Sequence, residues 1–211
     1  MGLKELYFPT LSYKKPSAPH ISILAPAAEV LKTRKRIIVI INDDMYQDLG
    51  ILTYREVQRE GGVNGGSVVN FAKGLIARAR GNADHSLEER LAVDGAGVET
   101  AEQIPGIVVL NNGQLLYSHK HNKALSIRSW TALPRKSIVH EPVKVHETEN
   151  RVEGHRTSEE HIKTVFEQVL MNPECVSPEA EVYVVAIENG VEKLINVLNE
   201  NCRRSRERLE S

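Results

Sequence analysis

Three short apolar runs constrain the fold of this chain more than any other feature of its sequence. Residues 37–41, 107–110 and 182–187 are rich in valine and isoleucine and show no alternation of polar with apolar side chains. Such runs are typical of strands that helices cover on both faces of a parallel sheet. Helical patterns lie between and after them. This order predicts an α/β fold with a mostly parallel sheet and right-handed crossovers.

Two of the helical patterns have clear start signals. Ser67 precedes an apolar stripe in which Val68 and Leu75 recur at helical spacing. Residues 157–160 read Thr-Ser-Glu-Glu, a capping box that predicts a helix N-terminus. After the third apolar run, residues 191–198 predict a further helix.

Two glycine-containing segments allow more than one interpretation. Residues 61–66 contain four glycines and resemble a phosphate cradle. No lysine follows and a helical pattern precedes them, which favours a turn between two helices. Asn112 and Gly113 follow the second apolar run. They predict either a hairpin turn or a loop that leaves the end of a parallel strand.

The prolines and charges suggest how the chain is divided. Four of the nine prolines lie in residues 1–36, which predicts an irregular arm because proline lacks a backbone donor and restrains the residue before it. The α/β domain is predicted over residues 37–200, with insertions at about 81–103 and 118–150. Residues 201–211 are rich in arginine and predict a disordered basic tail.

Charge and cysteine content exclude several classes of protein. The 27 lysines and arginines balance 28 aspartates and glutamates, so no global field attracts the chain to nucleic acid or membrane. Two cysteines are too few for a disulfide-built secreted fold and favour a reducing compartment. The longest apolar runs fall far short of the ~20 residues that span a bilayer.

Eight histidines raise the question of a metal site. They form no His-Glu-x-x-His motif, and no cysteine lies near a histidine at zinc spacing. Lys120 separates His119 from His121, and a cation between two candidate ligands opposes metal binding. We therefore predict no metal site and no other cofactor, and we expect the histidines to lie on the surface.

One segment is locally basic and contains the single tryptophan of the chain. Basic groups beside an aromatic ring can contact a phosphate backbone and stack on a base, or can dock on an acidic protein surface. The alternative is a surface loop whose Trp130 plugs onto the domain, since tryptophan is usually largely buried. The candidate partner-binding residues are His119, Lys120, His121, Lys123, Arg128, Trp130, Arg135 and Lys136.

The turn after the third apolar run is the most informative site. Glu188, Asn189 and Gly190 connect a strand to a helix, which is the context of the nucleophile elbow in α/β-hydrolases. Such a turn raises one side chain above the sheet, at the positive end of the following helix. Here that side chain is a glutamate, and the sequence identifies no second carboxylic acid of the kind that glycosidases require. Turn amides would hold Glu188 ionised, which favours a structural anchor.

Four blocks of the sequence resemble the Argonaute-binding-protein-two domain family, in the order found there. The blocks are residues 37–50, 65–77, 105–111 and 153–190, and the resemblance is strongest over residues 150–161 and 182–190. Three shorter motifs are similar to the fungal branch of the family. They are residues 48–50, 64–69 and 128–130.

The resemblance implies an α/β-hydrolase-like fold that serves assembly. Members of the family include a subunit of the fungal Argonaute small-RNA chaperone complex, and a related domain of fungal class II histone deacetylases serves dimerisation and histone contact. Animal relatives keep a His-Gly-type loop after the third strand and a serine at the elbow. Here the loop reads Asn42-Asp43-Asp44 and the elbow contains Glu188. Carboxylates in this loop would repel an oxyanion, which argues against a hydrolase.

The number of residues after the elbow is small for a hydrolase. The triad aspartate and histidine of a hydrolase lie on later strands, and no strand pattern follows residue 198. We therefore expect either a shortened α/β-hydrolase-like fold that lacks the C-terminal strands, or an end that is not native family sequence. The elbow strand would then be a sheet edge, and we expect the isolated chain to self-associate.

The leading hypothesis is a non-catalytic protein-interaction module, a pseudoenzyme of small-RNA and heterochromatin silencing in the nucleus or cytoplasm. By resemblance, its partners are Argonaute-type proteins, a histone deacetylase or histones, without a membrane partner. Glu188 would brace the degenerate elbow. The alternatives are a residual esterase-type hydrolase activity and direct RNA binding through the basic segment at residues 119–136.

Overall fold

The protein has a mixed α/β fold in the computed structural model, which describes residues 2–45, 47–58, 62–79, 104–135, 137, 139–140 and 144–209. The strands are β1 (Lys4–Phe8), β2 (Ile21–Ala25), β3 (Arg36–Ile41), β4 (Gly106–Val109), β5 (Leu116–Ser118), β6 (Lys123–Leu125) and β7 (Glu181–Ala186). The helices are α1 (Ala28–Lys32), α2 (Tyr54–Val57), α3 (Gly62–Gly65), α4 (Val68–Ala79), α5 (Ile127–Thr131), α6 (Ser158–Val165) and α7 (Asn189–Leu209). Residues Phe166–Leu170 continue α6 as a π-helical segment.

The main sheet, as far as the chain is described, has the strand order β1–β2–β4–β3–β7. β3 pairs in parallel with β4 on one side and with β7 on the other, which confirms the predicted parallel arrangement of the three apolar runs. β2 pairs antiparallel with both β1 and β4, so the whole sheet is mixed. β5 and β6 form a separate hairpin.

The predicted irregular arm over residues 1–36 is wrong. This segment contains β1 and β2, and Phe8, Ile21 and Ile23 are fully buried. The prolines flank the two strands: Pro9, Pro16 and Pro19 lie between them and Pro26 follows β2. Proline density was misleading because proline is excluded from strand interiors but is common in the connections between strands.

Apolar layers cover β3 on both faces. Ile37, Val39 and Ile41 belong to the core cluster that contains the apolar side chains of α6. Ile38 and Ile40 face the opposite cluster, which contains the apolar side chains of α4. This arrangement follows from the two-residue period of a strand, and it explains why the run shows no polar alternation.

Both predicted helix starts are confirmed. The Thr157 hydroxyl accepts a hydrogen bond from the Glu160 amide at 3.2 Å, and the Glu160 carboxylate accepts one from the Arg156 amide at 2.7 Å. At the start of α4, the Ser67 hydroxyl accepts a hydrogen bond from the Val69 amide at 3.3 Å. Side chains thus satisfy amides that have no partner inside the helix.

The predicted disordered tail over residues 201–211 is wrong as far as residue 209. α7 begins directly after the elbow and continues to Leu209. Neither glycine nor proline occurs between residues 191 and 209, so nothing in the sequence interrupts the helix once it has started.

Outcomes differ among the remaining predicted segments. The insertion at 81–103 lies outside the described residues. The segment 118–150, which showed no period in sequence, contains β6 and α5. Residues 112–113 form a loop that leaves the end of β4, because β5 pairs with β6 and not with β4. The helical pattern before residue 61 corresponds to the single turn of α2 within the described residues 50–58.

Candidate functional site

Polar side chains from three strands meet at one edge of the sheet. β3, β4 and β7 are parallel, so their carboxyl ends lie at the same edge. Asn42 and Asp43 follow β3, Asn111 and Asn112 follow β4, and Glu188 follows β7. Ligands of open α/β sheets bind outside the carboxyl ends of the strands, which makes this edge the candidate functional site.

A sharp bend connects β7 to α7, where the sequence predicted it. Glu188 occupies the bend with a backbone φ of 51°, in the left-handed region that residues other than glycine rarely adopt. The Gly190 amide donates to the Ile187 carbonyl at 2.9 Å, and the Val191 amide donates to the Glu188 carbonyl at 3.1 Å. A Cβ atom on Gly190 would lie 2.8 Å from the Ile41 carbonyl oxygen, so the bend requires glycine at that position.

The Glu188 side chain itself is exposed. Within the described parts of the chain, no hydrogen bond or ion pair holds its carboxylate. The anchoring contact that the sequence suggested is therefore not among the described contacts, and backbone hydrogen bonds hold the bend.

The loop after β3 carries buried negative charge. Asp43 is 6% exposed. Burial raises the pKa of the Asp43 carboxyl, and the negative charges of Asp44 and Glu188 raise that pKa further. Three carboxylates from two strand ends thus interact electrostatically, and their field opposes the build-up of another negative charge.

Buried amide side chains form the floor of this site. The Asn112 side-chain amide donates to the Asn42 carbonyl at 3.2 Å, and the Asn42 side-chain amide donates to the Ile51 carbonyl at 2.9 Å. Several buried polar atoms have no hydrogen-bond partner. They are Asn42 Oδ1, Asp43 Oδ1, Gln47 Oε1, Asn112 Oδ1 and Asn111 Nδ2. Sequence reasoning singled out the loop at residues 42–44 but missed Gln47 and the two asparagines after β4, although polar residues directly after an apolar strand were a usable signal.

A cleft of about 570 Å³ opens beside this floor. Lys193 of α7 forms ion pairs across it with Glu159 at 3.0 Å and with Asp44 at 3.6 Å. The hydrogen bond that the Lys193 ammonium donates to the Glu159 carboxylate raises the pKa of the ammonium, and neighbouring carboxylates raise it further. The Ser158 hydroxyl donates to the Asp44 carboxylate at 3.3 Å. These contacts connect α6, α7 and the loop after β3, and they place the Ser158 hydroxyl as a donor to the Asp44 carboxylate.

Two histidines at the start of α6 form a buried pair. Their Nδ1 atoms lie 2.6 Å apart, and the Asn111 amide donates to His161 Nε2 at 3.1 Å. His161 Nε2 is therefore unprotonated, and His161 donates its Nδ1 proton to His155. Burial lowers the pKa of His155 to about 4 and lowers the pKa of His161 well below its usual range. The prediction of surface histidines is wrong for this pair and for His20, which are all buried.

Three contacts between a hydroxyl and a histidine ring occur in the described chain, and none lies at the bend after β7. The hydroxyls of Ser118, Ser137 and Thr148 lie 2.9, 2.8 and 3.1 Å from the Nδ1 atoms of His121, His140 and His146, respectively. Each pair is two or three residues apart and closes a local turn, a common role of serine and threonine hydroxyls.

The basic segment lies on the β5–β6 hairpin and on α5. Its exposed side chains are those of His119, Lys120, His121, Lys123, Arg128 and Arg135, while Lys136 lies outside the described residues. Trp130 is 4% exposed and packs with Leu116 and Leu125. Its ring is therefore buried against the domain and is not available for stacking on a base. The Arg128 guanidinium lies 5.5 Å from the centre of the Tyr54 ring.

Two features are absent from the described ranges. Histidine, cysteine, aspartate and glutamate side chains form no group of three or more that could hold a metal ion there. Nor does any helix in those ranges have the length and apolarity to cross a membrane.

The comparison with family models identifies the class of protein. The Arb2 domain model matches residues 1–211. Comparisons with curated proteins and with solved structures gave no match. The chain therefore belongs to the Arb2 domain family, as the sequence blocks predicted, and the match includes the N-terminal strands that sequence reasoning had assigned to an arm. This membership indicates a role related to Argonaute-dependent silencing or histone deacetylation.

Proposed function

We propose that this chain is a non-catalytic protein-interaction module of a small-RNA or heterochromatin silencing complex, built on an α/β-hydrolase-like scaffold. Its partners are Argonaute-type proteins, histone deacetylases or histones. The observation that carries the proposal is the bend after β7, where a hydrolase of this fold holds its nucleophile. Glu188 stands there with a φ of 51° and an exposed carboxylate.

The loop after β3 supports the same interpretation. An oxyanion hole needs hydrogen-bond donors aimed at the developing negative charge. Here the buried Asp43 and the neighbouring Asp44 contribute carboxylates, and the raised pKa of Asp43 reflects a site that already disfavours negative charge. A nucleophile and an oxyanion hole are thus replaced together, which is consistent with a scaffold kept for binding.

The β5–β6 hairpin and α5 supply the partner surface in this proposal. Their exposed side chains are basic, which suits an acidic protein surface. Trp130 is buried in the domain, so an RNA ligand would have to be held by phosphate contacts without stacking on this ring. The arrangement favours a protein partner over RNA.

A capture experiment with charge-reversal variants tests the proposal. Purified tagged chain is incubated with Argonaute-type protein, histone deacetylase and histones, each with a positive control for capture. The triple variant Lys120→Glu, Lys123→Glu, Arg128→Glu should reduce capture of a partner with an acidic surface about tenfold or more, because buried or partly desolvated like charges at an interface cost several kcal/mol. The matched control Lys4→Glu, Lys14→Glu, Lys35→Glu makes the same change in net charge elsewhere and should retain capture.

Three results would overturn the proposal. Turnover of a generic acyl ester that is lost on Glu188→Ala and kept on Glu192→Ala would make the chain a hydrolase. A mobility shift with RNA that weakens linearly with log salt, and that the hairpin triple variant abolishes, would make it an RNA-binding protein. Failure to capture any of the three partners, with the positive controls working, would also reject it.

A further inference from the structure

Unpartnered oxygen atoms are concentrated at the carboxyl ends of the central strands. Four polar side chains there are only 1 to 6% exposed, those of Asn42, Asp43, Gln47 and Asn112. One side-chain oxygen of each has no hydrogen-bond partner, and the unpartnered nitrogen beside them in the described chain is Asn111 Nδ2. Buried polar atoms are nearly always paired, so a group of four bare acceptors requires an explanation.

Hydrogen bonds fix two of these atoms as acceptors. The Nδ2 atom of Asn42 donates to the Ile51 carbonyl at 2.9 Å, and the Nδ2 atom of Asn112 donates to the Asn42 carbonyl at 3.2 Å. Rotating either amide by half a turn would set its oxygen against a carbonyl oxygen. The bare atoms of both amides are therefore oxygens, and they need a hydrogen-bond donor or a cation.

The backbone brings together the segments that carry the four oxygens. Asn42 and Asp43 follow β3 directly, and Asn112 reaches the Asn42 carbonyl from the end of β4. Gly113 lies against Gln47, because a Cβ atom on Gly113 would be 2.0 Å from the Gln47 carbonyl oxygen. Asn112 also lines the cleft of about 570 Å³, which gives the group a path to solvent.

Negative charge at this edge of the sheet favours a cation over a neutral ligand. The backbone amides of Asp44 and Met45 stabilise the Asp43 carboxylate in part, but no cationic side chain of the described residues forms an ion pair with it. Lys193 pairs with Asp44 instead, and the charges of Asp44 and Glu188 both act on Asp43. A bound water would satisfy bare oxygens and leave the Asp43 charge uncompensated, whereas a cation would do both.

We infer that the Asp43 carboxylate and the side-chain oxygens of Asn42, Gln47 and Asn112 bind a calcium ion at the carboxyl ends of β3 and β4. Carboxylate and amide oxygens are the ligands that Ca²⁺ prefers, and its coordination is flexible enough for ligands from separate segments. Water from the cleft would complete the coordination.

A single charged ligand sets the strength of this site. Ca²⁺ affinity rises with the number of charged ligands, so one carboxylate among neutral amides predicts a dissociation constant of about 0.1 to 1 mM. The bound ion would join the loop after β3 to the loop after β4. This inference does not depend on the proposed function. It departs from the sequence expectation of no metal site, because amide oxygens from distant segments leave no spacing motif.

Titration of the full chain with calcium tests the inference. After treatment with EDTA, isothermal titration calorimetry should detect a single Ca²⁺ per chain. Addition of about 10 mM CaCl₂ should raise the melting temperature by about 3 to 10 °C. Mg²⁺ should bind about tenfold more weakly or worse, because it demands near-octahedral geometry and keeps its waters. KCl at the same ionic strength should leave the melting temperature unchanged, which separates binding from screening.

Two variants alter a ligand while nearly conserving its size. Asp43→Asn and Gln47→Met should each weaken Ca²⁺ binding about tenfold or more, since even changes behind a metal ligand commonly cost that much. In EDTA both variants should be at least as stable as the wild type, because each removes a buried charge or acceptor that lacks a partner. A lost calcium response in these variants would then not be caused by unfolding.

A matched control and three outcomes decide the inference. Glu179→Gln makes the same change in charge as Asp43→Asn at an exposed residue before β7, at the opposite edge of the sheet, and should leave Ca²⁺ affinity unchanged. Absence of Ca²⁺ binding would overturn the inference and assign the bare oxygens to buried water. Ca²⁺ binding that neither ligand variant weakens, or tighter binding of Mg²⁺ than of Ca²⁺, would overturn it as well.

Discussion

β3 and β7 are neighbours with similar sequences and opposite environments. They pair in register over their whole length, and each is dominated by β-branched residues. Val39 and Val184 lie side by side, yet Val39 is fully buried and Val184 is 37% exposed. The difference shows that an apolar run predicts a strand without predicting whether the strand is central or at an edge.

The loops after these two strands differ in the same way. Asp43 after β3 is buried under the end of the sheet, and Glu188 after β7 is exposed. Both are carboxylates within two residues of the end of a parallel strand. Burial raises the pKa of the Asp43 carboxyl, whereas the Glu188 side chain is in contact with water.

The strongest test of this comparison is to replace the paired valines of β3 and β7 by alanine, one at a time. Val39→Ala should lower the free energy of unfolding by about 2 to 3 kcal/mol, because it removes two buried methyl groups and leaves a cavity. Val184→Ala should lower it by less than about 1 kcal/mol, since water already reaches that side chain. Urea denaturation in dilute solution measures both. Equal effects would show that the edge is as well covered as the centre.

The buried pair of His155 and His161 should also make the stability of the protein depend on pH. The folded pKa of His155 is about 4 against an ordinary value of 6.5, so below pH 6.5 the unfolded chain binds more protons than the folded chain. Stability is therefore full above pH 6.5 and falls as the pH is lowered towards 4. His155 alone should cost about 2 kcal/mol between pH 7 and pH 5.

Paired variants isolate this contribution. His155→Gln should reduce the dependence of unfolding free energy on pH, measured by urea denaturation at pH 7 and pH 5, while the buried His161 keeps its own contribution. His140→Gln, at an exposed histidine, should leave the dependence unchanged. A dependence as steep in His155→Gln as in the wild type would contradict the assignment of this contribution to His155.

The smallest expected effect is a difference in stability between variants of the carboxylates at the two strand ends. Asp43→Asn should stabilise the protein at pH 7 by about 1 kcal/mol, because it removes a charge that burial and two acids disfavour. The gain should vanish as the pH falls and the wild-type carboxyl is protonated. Glu188→Gln should change stability by less than about 0.5 kcal/mol, as is usual for exposed positions. Thermal melts of both variants at pH 7 and pH 4 provide the measurement.

Much of the candidate site was predictable because it depends on local sequence. Residues 188–190 combine a strand end, a turn with glycine and a helix start, and the structure places the bend there. The capping signals at Ser67 and Thr157 were read correctly for the same reason. Gln47, Asn111 and the histidine pair were not predicted, because their burial results from elements that are far apart in the chain.

The errors share one cause. The proline content of residues 1–36 predicted an arm, although β2 of this segment pairs with β4 inside the sheet and β1 pairs with β2. Trp130 allowed two interpretations in the sequence, and the neighbouring hairpin decided between them by covering its ring. Local composition describes how a segment can fold and not what it packs against.

The sequence alone determined the three parallel strands, the bend that carries Glu188 and the helix starts, because periodicity and capping act over a few residues. The tertiary structure alone decided which apolar strand is buried and which forms the edge, and which histidines are kept neutral. Burial is set by neighbours from distant parts of the chain, so the same valine can be core in one strand and surface in the next.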